Sequence, residues 1–152
     1  MNLYEKTKIL EEISDPRFCY SMTICGSCNS VNRQRMYDYE TYYTLKGNLL
    51  YMPTNIIKTE ENKELIQLAI DELYSKENCI FSRMHKRKIN DSEVVLIISD
   101  GNGLGEDTAS ELQYAMIHNK IILFNHVDDN HKDKFLFNND NNFPLYLRKE
   151  GM

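Results

Sequence analysis

Two hydrophobic rhythms alternate along the chain. Short unbroken apolar runs read as strands buried on both faces. Stretches with apolar residues every three or four positions read as helices with one buried stripe. Val94-Val95-Leu96-Ile97-Ile98 is a run of the first kind. Asp100-Gly101-Asn102-Gly103-Leu104-Gly105 then makes a polar, glycine-bearing loop. Asp107-Thr108 open a helix on which Ala109, Leu112, Ala115 and Met116 form one stripe, Asn119-Lys120 end it, and Ile121-Ile122-Leu123-Phe124 is a second buried strand. A strand–helix–strand unit of this length predicts parallel pairing through a right-handed crossover. Ligands of such sheets bind beyond the carboxyl ends of the strands, where this loop and the first helical turn lie.

The same alternation runs upstream. Leu3 to Ile13 carries Tyr4, Ile9 and Ile13 as the apolar side of a short helix, and Asp15-Pro16 stops it. Tyr20 to Cys25 is a strand. It runs through Gly26-Ser27-Cys28-Asn29-Ser30 into a helix from about Val31 to Lys46, with Gly47 as its C′ residue. Asn48 to Met52 is a strand stopped by Pro53. Thr54 to Glu61 is a polar loop. Glu64 to Ser75 is helical through Leu65, Leu68, Ala69 and Leu73, and Ile80 to Asn90 is helical with Met84 and Ile89 toward the core. Beyond Asn125 the rhythm breaks into a stretch rich in Asn, Asp, His and Lys. Its two apolar runs, 135–137 and 143–147, either pack back as short strands or cover a partner subunit. The fold class is α/β: an open, mostly parallel sheet of about four or five strands with helices on both faces. One domain spans 1–152, with its core at about 20–125 and an extension at 126–152.

Composition narrows the classes. A chain of 152 residues, 41% hydrophobic, is long enough for one real core. A net charge of −5 argues against binding polymeric nucleic acid, which favours a basic face. No apolar run nears the roughly 18 residues that span a bilayer, and the mixed-charge start MNLYEKTKILEEIS is no signal peptide. A cytoplasmic protein without membrane contact is expected. Cys25-Gly-Ser-Cys28 has the spacing of a redox pair or half a zinc site. No second pair of ligands at zinc spacing accompanies it, so neither metal nor cofactor is expected. A helix N-terminus after the strand would lower a thiol pKa and favour a redox pair; two small residues in a tight turn is the plainer alternative.

Three places could carry chemistry. The strand–glycine–helix junction at Gly26 points backbone N–H groups and a positive dipole end at an anion, although one glycine makes a weak signature. On the later helix Asp107, Glu111, Tyr114 and His118 share a face. Carboxylates at the open end of the sheet suit glycosyl chemistry. Pattern alone nevertheless favours a capping box at Thr108-Ala-Ser-Glu111, in which Thr and Glu satisfy each other's backbone donors. His85 either belongs to the core rim or donates a proton near neutral pH. His85-Lys86-Arg87-Lys88 reads as a solvated basic face, and Tyr37, Tyr39, Tyr42 and Tyr43 as a packing surface.

Taken in order, several segments resemble the nucleoside 2-deoxyribosyltransferase-like superfamily, which includes the deoxynucleoside 5′-monophosphate N-glycosidases. They are Ile24-Cys25-Gly26-Ser27, Leu45 to Pro53, Met84 to Ile89, Glu106 to Ala115 with Glu111 and Tyr114, and Lys120. The resemblance covers about residues 20 to 125 and is nearest to small bacterial and phage members. It implies a flavodoxin-like fold, a homodimer or higher homo-oligomer, and cleavage or transfer at the N-glycosidic bond of a 2′-deoxynucleoside or its 5′-monophosphate. Glu111 matches the family's nucleophilic glutamate, with Asp107 and His85 as its catalytic companions. Cys25, Gly26, Ser27, Asn29, Ser30, Asp100, Gly105 and Thr108 would bind substrate. The chain departs from the pattern at His85, where characterised members have an acidic residue, and at Gly105, where transferases commonly have an aspartate. It departs again at Asn29, where phosphate-binding glycosidases have an arginine. These departures motivate an alternative: a non-catalytic nucleotide-binding or sensing module on the same fold.

Overall fold

A computed structural model of the chain describes residues 1–27, 29–54, 59–73, 80–140 and 142–151. Cys28 and Cys79 lie outside the described residues, and with Cys28 half of the CxxC pair. In chain order the elements are α1 (Leu3–Ile13), β1 (Ser21–Gly26), α2 (Ser30–Leu45), β2 (Leu49–Tyr51), α3 (Lys63–Leu73), α4 (Ile80–Asn90), β3 (Val94–Ile98), α5 (Glu106–Ile117) and β4 (Ile121–Phe124). A 3-10 turn (Asp129–Lys134), β5 (Phe135–Asp140) and β6 (Phe143–Arg148) complete the chain. No helix among the described residues is long and apolar enough to cross a membrane.

The expectation of four or five strands is corrected to six among the described residues, in the order β2-β1-β3-β4-β6-β5. β2, β1, β3 and β4 pair in parallel, whereas β6 is antiparallel to β4 and β5 to β6. The two added strands come from the apolar runs of the tail. Leu147 pairs with Leu123 and Tyr146 with Phe124. Two tyrosines of α2 fix the start of β6 to the body: Tyr43 donates its hydroxyl to the Phe143 carbonyl at 2.6 Å and Tyr39 to that of Pro144 at 2.9 Å. Tyr42 stacks on Phe143. Lys6, a buried charge on the apolar side of α1, donates from Nζ to the carbonyls of Arg148, Lys149 and Gly151 at 2.9–3.1 Å.

Side-chain alternation divides the core into two layers. Met22, Ile24, Val94, Leu96, Ile98 and Leu123 face α1 and α2, packing on Leu10, Ile13, Met36, Tyr39 and Tyr43. Cys25, Val95, Ile97 and Ile122 face the other way, onto Ile89 of α4 and Ala115 of α5. All five residues of β3 are buried, as a central parallel strand requires. Several expected core positions are exposed instead: Tyr4, Leu65, Leu68, Met84 and Ala109. Leu65 and Leu68 are 71% and 56% exposed, so α3 has correct helical periodicity but no covered face at those residues.

Candidate functional site

The parallel strands end at Gly26 in β1 and Ile98 in β3, side by side in register. Their junction admits only glycine. A Cβ on Gly26 would stand 2.6 Å from the Ile98 carbonyl oxygen and 2.9 Å from Asn32 Nδ2. Asn32, fully buried in the first turn of α2, donates to the carbonyls of Ser27 at 2.8 Å and Ile98 at 3.2 Å, tying the two strand ends together. Asn29 caps α2 by accepting from the Asn32 N–H at 2.9 Å. Beyond β4, Asn125 exchanges two hydrogen bonds with the backbone of Ser99. Asn32 and Asn125 were not singled out in the sequence. Each is a short amide within a few residues of a buried strand's carboxyl end, and that position is the signal that could have found them.

At this edge lies a cleft of about 580 Å³, walled by Gly26, Ser27, Gly105, Asp107 and Thr108, with His85 and Glu111 in its lining. A second hollow of about 320 Å³ shares Ser27, Gly105 and Thr108 and adds Asn29 and Asp100. The structure thus brings the predicted residues into two adjoining recesses, with two exceptions. Ser30 lines neither. Cys25 is wholly buried and its side chain belongs to the layer facing α4 and α5, so it lies behind the cleft and not on its wall.

The capping-box expectation at Glu111 is overturned. α5 begins at Glu106 with Gly105 as a cap that makes no side-chain hydrogen bond. Thr108 is therefore in the first turn and buried, and Glu111 falls in the second turn with Asp107 one turn ahead of it. The Glu111 carboxylate is released from any cap and lies beside His85: Oε2 is 3.7 Å from Nε2. His85 Nε2 in turn sits 3.3 Å from Cys25 Sγ. These three side chains come from α5, α4 and β1, separated by 26 to 86 positions in sequence, so no local motif could show the cluster.

Burial sets the charge of all three. It pushes Glu111 up to about 7; a hydrogen bond from the Cys25 thiol opposes this, Asp107 adds to it and Lys86 opposes it. Burial and then the Lys88 charge hold His85 down at about 4, against a smaller opposing pull from the Ile24 backbone. Its Nδ1 finds no hydrogen-bond partner of good geometry. The 3.7 Å approach of His85 to Glu111 is accordingly no ion pair near neutral pH, because the imidazole is uncharged. Burial, reinforced by Glu111, raises the Cys25 thiol well above its usual range. The alternative of a helix-activated thiol finds no support at Cys25: Sγ is turned away from α2 and stays protonated.

The basic run divides in the same way. Lys88 is not a solvated charge: Nζ donates to the Met52 carbonyl at 2.7 Å and Thr54 Oγ1 at 2.8 Å, holding the segment after β2 at the cleft. Arg87 does lie at the surface, paired with Asp91. Chemically the site combines a carboxylic group poised between its two charge states, a neutral imidazole, a thiol and a backbone-lined recess at the sheet's carboxyl edge. Searches against models of known protein families and against curated proteins return no match.

Proposed function

We propose that the chain cleaves or transfers at the N-glycosidic bond of a 2′-deoxynucleoside or its 5′-monophosphate, with Glu111 as nucleophile. One observation carries this reading: the Glu111 carboxylate faces a cleft beside Gly26 and Ser27 instead of folding back onto its own helix start. The parallel order β2-β1-β3-β4 supports a flavodoxin-like assignment of the core. It also sets the cleft where such sheets bind ligands.

In this reading the ionised fraction of Glu111 attacks C1′ through an oxocarbenium-like state. The base departs with the bonding electron pair, and a deoxyribosyl ester forms on the carboxylate. Water or a second base then takes the sugar and frees Glu111. A group poised near 7 is available as a carboxylate at neutral pH yet partly desolvated, which favours attack. Asp107, on the cleft wall one turn earlier, is the exposed carboxyl that exchanges protons with the departing base. His85 orients the nucleophile as a neutral neighbour and donates no proton near pH 7. Gly26, Ser27 and Thr108 line the sugar side; Asn29 and Asp100, in the adjoining hollow, receive the 5′ end. A homo-oligomer is part of the proposal, supported by the uncovered Leu65 and Leu68 of α3.

The test is chromatography of deoxynucleosides and their monophosphates incubated with the protein, with and without an acceptor base. Free or exchanged base that disappears in Glu111→Gln is the expected result. A neutral His85 where an acidic partner is common favours the alternative, a nucleotide-binding module without turnover. That reading predicts a nucleotide-dependent rise in Tm and intact substrate.

A further inference from the structure

Cys25, His85 and Glu111 turn three different ligand atoms toward one point. Sγ and Nε2 are 3.3 Å apart, Nε2 and Oε2 are 3.7 Å apart, and the three ligand atoms lie within 4.8 Å of one another. In a tetrahedral zinc site, bonds of about 2.0–2.3 Å set neighbouring ligand atoms roughly 3.4–3.6 Å apart. The two measured edges straddle that spacing, and the third lies within 4.8 Å. Cys25 and His85 are buried, held by β1 and α4. His85 and Glu111 also line the cleft, which leaves a fourth position open on that side.

We propose that Cys25, His85 and Glu111 bind one zinc ion, with its fourth coordination position open to the cleft. The donor set decides the metal: a sulfur, an imidazole and a carboxylate suit a borderline divalent ion, whereas magnesium and calcium take oxygen ligands. Binding changes no oxidation state. The Cys25 thiol proton, and the proton Glu111 carries in part of the molecules, pass to solvent as the metal bonds form. The proposal does not rest on the glycosyl reading. Where Glu111 is also the nucleophile, ion and sugar compete for one carboxylate, and zinc inhibits turnover.

The experiment uses the full chain, stripped of metal. Zinc is titrated by calorimetry and cobalt by absorption. The expected result is one saturable equivalent, a thiolate-to-cobalt charge-transfer band, and a zinc-dependent rise in Tm. Cys25→Ser should abolish the band and weaken zinc binding at least tenfold, while Cys19→Ser, at an exposed site, should change neither. Should Cys25→Ser fail to fold, Glu111→Gln decides, with the same tenfold loss expected. Absence of saturable binding overturns the proposal. So does zinc affinity unchanged in Glu111→Gln or in folded Cys25→Ser. None of these readouts requires base release, so they stand whether or not the protein turns over deoxynucleosides.

Discussion

Glu111 Oε2 lies 3.7 Å from His85 Nε2, and burial drives the two groups in opposite directions, the acid up to about 7 and the imidazole down to about 4. Each is pushed toward its neutral form. A pair that looks like a salt bridge by distance is therefore a neutral imidazole beside a half-ionised acid at neutral pH.

The acid makes stability fall as pH rises. An unfolded glutamate releases its proton near 4.5, the folded one near 7, so over that window the folded state holds more protons. The cost at pH 8 is up to about 3 kcal/mol, fully absent below pH 4.5. Glu111→Gln should consequently be more stable than the parent at pH 8, with the difference vanishing near pH 4.5. Urea unfolding at several pH values measures it; a constant difference across the range would refute the shift.

His85 works from the other side. Its folded value lies below the ordinary 6.5, so stability is intact above that pH and is lost as pH falls toward 4, by up to about 3 kcal/mol. Relative to the parent, His85→Gln should look worst above pH 7 and should recover below pH 5. Thermal melts at both ends of the range check the sign.

Gly26→Ala should destabilise by about 1–3 kcal/mol, because the added methyl meets a backbone oxygen at 2.6 Å and cannot displace it cheaply. The strain falls where β1 and β3 end, so ligand binding should weaken with stability. A denaturation midpoint equal to the parent's would show that the strand ends are not so closely joined.

Lys6→Met keeps the bulk of the side chain and removes the donor to three carbonyls. A loss of about 2 kcal/mol is expected for these charge-assisted bonds. Amide exchange should speed up first after β6. Uniform exchange throughout the sheet would mean that the lysine does not anchor the tail.

The parallel core was legible because its signal is local: β3 and β4 are unbroken apolar runs, and α2 ends at a glycine with φ of +99°. The tail was only half legible. The runs at 135–137 and 143–147 declare apolar surface and pair with each other, but the second run is placed by Leu123 and Phe124 in β4 and the tyrosines of α2, at least twenty residues away in the chain. At the site, resemblance picked out Glu111 and His85 separately, while pattern alone preferred a capping box. A three-residue shift of the cap decides between them: α5 starts at Glu106, and Gly105, not Thr108, takes the cap position. The triad with Cys25 was invisible because burial and three-dimensional convergence, not spacing, create it.

In the proposed reaction Glu111 carries the sugar as an ester. Intact-protein mass spectrometry after an acid quench, with the protein mixed with a deoxynucleoside or its monophosphate, detects that ester. The expected result is the added mass of one deoxyribosyl group, or of its 5′-phosphate from the monophosphate, mapped to the peptide holding Glu111 and absent from Glu111→Gln. Base release that persists in Glu111→Gln, or an adduct mapped to another residue, would contradict it.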